Sequence, residues 1–139
     1  MNRTELQQLA EDRILDARIL LDAGRWSGAY YMVGYAMECG LKSCVLAFVE
    51  RTGEIFRDKK FSEKCFTHKL LELIELAGLK DIHLDLLKNN TDFAGFWGNA
   101  KEWTEASRYQ QTTEIKARAL YEAITTDPNG VLPWIRMSW

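Results

Sequence analysis

A long apolar segment, residues 28–49, most constrains what this chain can fold into. Its length would suit a helix that crosses a bilayer, but Glu38 and Lys42 lie near its middle. Each of these charges would cost about 2.5 to 3.5 kcal/mol at the centre of a membrane. We therefore predict a central core helix, with no membrane association, in which Glu38 and Lys42 form a partly buried ion pair four positions apart.

The two faces of this predicted helix carry side chains of different size. Small residues at helical spacing let another helix approach closely, either inside the fold or across a dimer axis. That small-residue stripe consists of Ala36, Gly40, Ser43 and Ala47. The opposite face carries Tyr31, Tyr35, Glu38, Lys42, Val45 and Val49. We expect the charged residues of the second face, Glu38 and Lys42, to have a role beyond packing in the core.

Capping residues predict where the other helices begin and end. An amphipathic first helix is expected to start at Thr4 and to stop at Gly24, and Ser27 is expected to cap the central helix. Thr67 is expected to cap a third helix that ends at Gly78.

The rest of the chain alternates between helical and irregular patterns. Residues 82–87 predict a short helix, and residues 89–111 predict a short helix followed by an irregular connection. A further helix is expected from Thr113, residues 52–64 are interpreted as an exposed basic loop, and residues 131–139 as an apolar tail. The chain is therefore predicted to be all-α, an up-and-down helical bundle of about five helices.

Length and charge limit the classes of protein to consider. With 139 residues the chain suits one domain with one core, residues 1–139. Its net charge of -2 gives no global field that would attract a polyanion, so any nucleic-acid binding must be local. Residues 1–10 lack the apolar core of a signal peptide, and we expect a cytoplasmic protein.

The cysteine and histidine patterns give no complete catalytic or metal-binding motif. Cys39, Cys44 and Cys65 lack CxxC spacing and are predicted to be reduced thiols, buried in the fold. There is no glycine-rich phosphate loop, HExxH or GxSxG, so we predict no catalytic residue, no metal and no cofactor. His68, at a helix start, is expected to make a structural hydrogen bond, with a functional role as the alternative, and His83 is expected to be exposed.

Arg108 and Tyr109 lie where an irregular segment meets a helix start. That position suits contacts to an anion, because backbone N–H groups are unpaired there. The alternatives are an ordinary surface arginine or a pair between Arg108 and Glu38. Three tryptophans, Trp97, Trp103 and Trp134, are expected to be core or interface residues rather than a platform for stacking bases.

Four segments together form a recognisable pattern. They are RILDARILLDAGRWSGAYYMVGYAMECGLKSCVLAFV, FTHKLLELIELAGL, the WTEASRY segment and a last helix running into VLPWIRMSW. The specific elements are the run leading to Glu38, Leu41 and Lys42, the Thr67-His68-Lys69-Leu70 helix start, and Arg108-Tyr109. In their order and spacing these elements resemble the HEPN family of small prokaryotic helical bundles, from about Glu11 onward.

The resemblance implies a bundle of about five helices that usually pairs with itself. Such domains are often encoded beside a minimal nucleotidyltransferase, in toxin–antitoxin, defence or RNA-processing settings. Many are metal-independent ribonucleases whose motif is an arginine followed four to six residues later by a histidine. Here no arginine stands at that distance before His68 or His83, and no histidine follows Arg108. The ribonuclease activity is therefore not carried over.

Our leading hypothesis is a homodimeric, non-catalytic module that binds a nucleotide or an RNA end, as partner of a minimal nucleotidyltransferase. One alternative is a divergent metal-independent ribonuclease that uses His68 and Arg108, and another is a pure protein-interaction domain. The residues expected to line the ligand site are Tyr31, Tyr35, Glu38, Lys42, His68, Arg108 and Tyr109.

Overall fold

The computed structural model describes residues 1–53 and 60–139, which form helices and no strands. The α-helices are α1 (Arg3–Asp22), α2 (Trp26–Thr52), α3 (Phe61–Lys64), α4 (Leu70–Leu76), α5 (Lys80–Asn89), α6 (Thr91–Ala100), α7 (Glu114–Thr125) and α8 (Val131–Arg136). A 3₁₀ helix, Glu105–Tyr109, lies between α6 and α7. The all-α prediction is confirmed.

The described part of the chain has eight α-helices where the sequence predicted about five. Five of them, α1, α2, α5, α6 and α7, have ten or more residues. The additional α3 and α8 lie where a loop and an apolar tail were expected, because four and six residues are too few to show a helical period. Residues 54–59 of the predicted basic loop, residues 52–64, lie outside the described residues. The up-and-down bundle stays a prediction.

Local hydrogen bonds set the ends of α1. The Asn2 side chain accepts from the Glu5 backbone N–H at 2.9 Å, and the Glu5 carboxylate accepts from the Asn2 backbone N–H at 2.8 Å. This capping box makes Asn2 the N-cap, two residues before Thr4, so the predicted start was wrong. Gly24 ends α1 with φ 71°, in the left-handed region that favours glycine, as predicted.

Two other predicted caps have different partners. The Ser27 hydroxyl accepts from the Thr112 backbone N–H at 2.8 Å and joins the start of α2 to the segment before α7, so it does not cap α2. Thr67 accepts from the Lys69 backbone N–H at 3.2 Å, and α4 begins only at Leu70 because Lys69 is extended. Both predictions were wrong, since a hydroxyl near a helix start is equally suited to bonds within a turn or to another element.

Helix α2 is the centre of the fold and packs against α1, α4, α7, α8 and the 3₁₀ helix. Among the described residues it is the helix whose length and apolar composition would suit a membrane crossing, and 61% of that window is buried in the fold. At Gly40 an added Cβ would lie 2.9 Å from Ile135 Cγ2 of α8. At Gly40 the small-residue stripe therefore lets α8, a helix of the same chain, approach α2 closely.

A second glycine of α2, Gly34, lets the segment that leads into the 3₁₀ helix pack closely against α2. A Cβ at Gly34 would lie 2.1 Å from Trp103 Nε1, so the indole rests directly on the helix backbone. Trp103 is 1% exposed, and Trp97 and Trp134 are also buried, which confirms them as core residues. The contact fixes the 3₁₀ helix beside the polar face of α2.

The cysteines of α2 are buried, as predicted, whereas the prediction that His83 is exposed was wrong. Cys39 and Cys44 are buried, and burial raises the pKa of Cys39 to about 11 and that of Cys44 to about 12. Cys65 is only half-buried. His83 is 2% exposed, not on the surface as expected.

Aromatic neighbours explain the burial of His83. Its ring packs edge-on against Trp97 at 4.4 Å between centroids and lies 5.4 Å from Trp134. The apolar residues on either side, Ile82 and Leu84, are 53% and 54% exposed instead. The prediction for α5 placed His83 on the exposed face because histidine is polar. It was wrong because a flat imidazole among aromatic rings packs as an aromatic residue.

Candidate functional site

The polar face of α2 forms the base of the candidate site. Glu38 has no exposed surface, and its Oε1 accepts a hydrogen bond from Lys42 Nζ at 2.9 Å. The Lys42 side chain is 24% exposed, so the predicted ion pair is present and partly buried. A buried carboxylate requires such partners, because an unpaired charge away from water is very costly.

His68, just before α4, lies between two carboxylates. Its Nδ1 lies 2.8 Å from Glu38 Oε1, and its Nε2 lies 3.3 Å from Glu105 Oε2 in the 3₁₀ helix. The expected hydrogen bond of His68 is therefore present, and it joins two separate elements. The side chain is 45% exposed, so the imidazole is accessible to solvent.

Arg108 reaches the same cluster through Glu105. Its Nη2 lies 3.4 Å from Glu105 Oε1, so it pairs with Glu105 and not with Glu38, the partner considered from the sequence. The guanidinium carbon lies 4.8 Å from the centroid of the Tyr109 ring, a cation–π distance. Tyr109 and then Glu105 raise the pKa of Arg108, so the group stays cationic.

The two tyrosines of α2 flank the carboxylate. The rings of Tyr31 and Tyr35 are parallel within 4° with centroids 6.0 Å apart, and Tyr31 also lies 6.1 Å from Trp103. Burial, followed by the nearby Cys39 thiol, raises the pKa of Tyr35 to about 12. Both half-buried rings already have aromatic neighbours, which leaves Tyr109, 79% exposed, as the accessible ring.

Two buried polar atoms of this region have no hydrogen-bond partner among the described residues. They are Glu38 Oε2 and Trp103 Nε1. An unpartnered buried polar group costs about 1 to 3 kcal/mol. The cluster is therefore not a fully satisfied structural network.

Glu105 is the residue of the cluster that sequence analysis missed. Among the described residues it is the one carboxylate at ion-pair distance from both His68 and Arg108. The one sequence signal was its position three residues before Arg108, where helical geometry places the two side chains together. Its contact with His68 joins residues far apart in sequence, which no local pattern predicts.

The structure therefore brings the predicted site residues into one region. The side chains in contact form an unbroken chain in the order Lys42, Glu38, His68, Glu105 and Arg108. Their role in binding a ligand stays a prediction. Within residues 1–53 and 60–139 no group of three or more His, Cys, Asp or Glu side chains could hold a metal ion.

A surface groove of about 370 Å³ lies elsewhere, between α6 and α7. Its lining includes Asp92, Phe96 and Glu122 and none of the predicted site residues. This groove is therefore separate from the polar cluster.

The fold and the cluster define an all-α protein built around one buried central helix with a charged, aromatic-flanked face. Comparison with protein-family models, curated proteins and solved structures finds no match to this chain.

Proposed function

We propose that this chain is a HEPN-like, non-catalytic module that binds a nucleotide or an RNA end at the polar cluster. The observation that carries the proposal is the linked set of Lys42, His68 and Arg108, held by two carboxylates beside exposed Tyr109. Cations at the edge of a cluster suit phosphate oxygens, and an exposed ring suits a base.

Each side chain has a distinct role in this proposal. Arg108, 45% exposed, and Lys42 contact phosphate, and Tyr109 stacks on the base. Glu38 holds Lys42 and His68 in place from beneath. Because Tyr31 and Tyr35 pack against each other, their part is to support the site rather than to sandwich a base between them.

The wider setting of the proposal comes from the resemblance to HEPN domains. It comprises a cytoplasmic homodimer, accessory to a minimal nucleotidyltransferase, in a toxin–antitoxin or defence system. The all-helical fold of the described residues, with no strands, supports this setting only at the level of fold class.

The test is the thermal midpoint of the purified protein with nucleoside mono-, di- and triphosphates and with a short RNA. A ligand at a hundred times its dissociation constant adds about 2.7 kcal/mol, which raises the midpoint by about 5 to 11 °C. We expect Arg108→Ala to abolish that shift.

Arg118→Ala is the matched control for this experiment. Arg118 also pairs with a glutamate of its own helix, Glu114, at 3.0 Å, and lies 5.2 Å from the Trp26 ring, outside the cluster. The Arg118→Ala variant should keep the full ligand-induced rise in the thermal midpoint. No shift with any ligand would instead favour the pure interaction domain, whose polar residues are structural.

A second function, a divergent metal-independent ribonuclease, is favoured by one observation. His68 and Arg108 both contact Glu105, so a histidine and an arginine distant in sequence share one carboxylate. Such a group could move a proton while the arginine binds phosphate. Cleavage of single-stranded RNA in EDTA by wild type, lost in His68→Ala and kept in Arg118→Ala, would replace our first proposal with this one.

A further inference from the structure

The two contacts of His68 impose a requirement on its protonation. Carboxylates only accept hydrogen bonds, so each ring nitrogen that faces one must carry a proton. Nδ1 is hydrogen-bonded to Glu38 at 2.8 Å, and Nε2 lies at ion-pair distance, 3.3 Å, from Glu105, so both contacts are attractive only in the imidazolium form.

Other charges near His68 come from the same two elements. On α2, Lys42 shares Glu38 Oε1 with the imidazole, and on the 3₁₀ helix, Arg108 pairs with the second oxygen of Glu105. On the segment of His68 itself, Lys69 pairs with exposed Glu72 at 3.3 Å. Glu105 thus contacts, through one oxygen, an imidazole whose charge depends on protonation and, through the other, a guanidinium whose charge is permanent.

Loss of a proton from His68 affects the two contacts unequally. The neutral ring keeps one N–H, and the shorter, buried contact to Glu38 at 2.8 Å retains it on Nδ1. Nε2 then turns a lone pair towards Glu105, and two acceptors repel. The link between α4 and the 3₁₀ helix is broken, while the link between Glu105 and Arg108 remains.

We propose that Glu105 is a positioning residue that couples protonation of His68 to the placement of Arg108. In the protonated state Glu105 is held by His68 and fixes the 3₁₀ helix over α2. In the neutral state Glu105 and Arg108 move together away from His68. Resting on the proposed function, this coupling makes anion binding at the cluster stronger at low pH.

Nuclear magnetic resonance of the ligand-free protein tests the coupling between about pH 5 and 8, where imidazole titrates. In wild type the backbone amides of Arg108 and Tyr109 should shift with the same midpoint as the His68 ring nitrogens. In Glu105→Gln the His68 ring should still titrate while these amides stay constant. An amide side chain can accept from N–H or, after rotation, donate to the bare nitrogen, so it holds either form.

Two further variants serve as controls. His68→Gln does not titrate, and its Arg108 and Tyr109 amides should not respond to pH. Glu114→Gln removes the carboxylate of the comparable Glu114–Arg118 pair and should behave as wild type. An unchanged response in Glu105→Gln, or no response in wild type, would overturn the proposal.

Binding of a tetranucleotide RNA with hydroxyl ends separates this inference from the proposed function, because its phosphodiesters keep their charge over this range. One added charge near the phosphate should tighten the dissociation constant about fivefold at pH 5.5 relative to pH 8, and His68→Gln should lose this difference. Coupled amides without any RNA binding would reject the proposed function and leave the role of Glu105 intact. RNA binding without coupled amides would support the proposed function and reject the role of Glu105.

Discussion

At the scale of single residues, burial decides what a titratable side chain can do. His83 is enclosed by aromatic rings, its Nε2 has no hydrogen-bond partner among the described residues, and burial lowers its pKa. The unfolded chain then binds a proton more readily than the folded one once the pH falls below about 6.5. The stability contributed by neutral His83 is therefore present above that pH and is lost as the pH falls below it.

We expect the free energy of unfolding, measured with urea, to decrease between pH 7.5 and pH 5.5. In His83→Asn that decrease should be reduced, because the buried titrating group is gone. His68→Gln leaves the buried His83 in place and should not reduce the decrease, because it removes only contacts that favour the folded chain when His68 is protonated. An equal decrease in wild type and His83→Asn would show that protonation of His83 does not limit stability in acid.

At the scale of helices, one glycine positions the 3₁₀ helix and with it the candidate site. Gly34→Ala would place a methyl group 2.1 Å from the Trp103 ring, and the indole would have to leave its place on α2. Overpacking of this kind costs about 1 to 3 kcal/mol. We expect lower stability in urea and a shifted Trp emission spectrum.

Gly98→Ala is the matched change for that experiment. An added Cβ at Gly98 in α6 meets open space, so the only effect expected is the helix preference for alanine, a gain of up to about 1 kcal/mol. Equal destabilisation by the two substitutions would contradict the proposed placement of Trp103.

Contacts within one helix could be predicted from the sequence, and contacts between helices could not. The Glu38–Lys42 pair followed from a spacing of four residues. His68 and Arg108 were chosen as candidates from their helix boundaries, but Glu105, which joins them, was missed. Its importance depends on Trp103 packing on α2, a contact that no periodic pattern encodes.

At the scale of the whole molecule, apolar residues alone did not show which segments complete the core. Ile115 is an apolar residue in the first turn of α7, yet it is 83% exposed. Ile135 was assigned to an apolar tail, yet it is fully buried in helix α8 against Gly40 of the central helix. The spacing of apolar residues indicates which face of a helix is buried only when the helix has several turns, and α8 has only six residues.

The two isoleucines therefore provide a test of how α8 contributes to the fold. Ile135→Ala should lower the free energy of unfolding in urea by about 2 to 5 kcal/mol, because it removes buried methyl groups and leaves a cavity beside α2. Ile115→Ala removes the same atoms from the surface and should change it by about 0.5 kcal/mol or less. Similar small effects at both positions would mean that α8 is not part of the core, and that the close approach at Gly40 serves another partner.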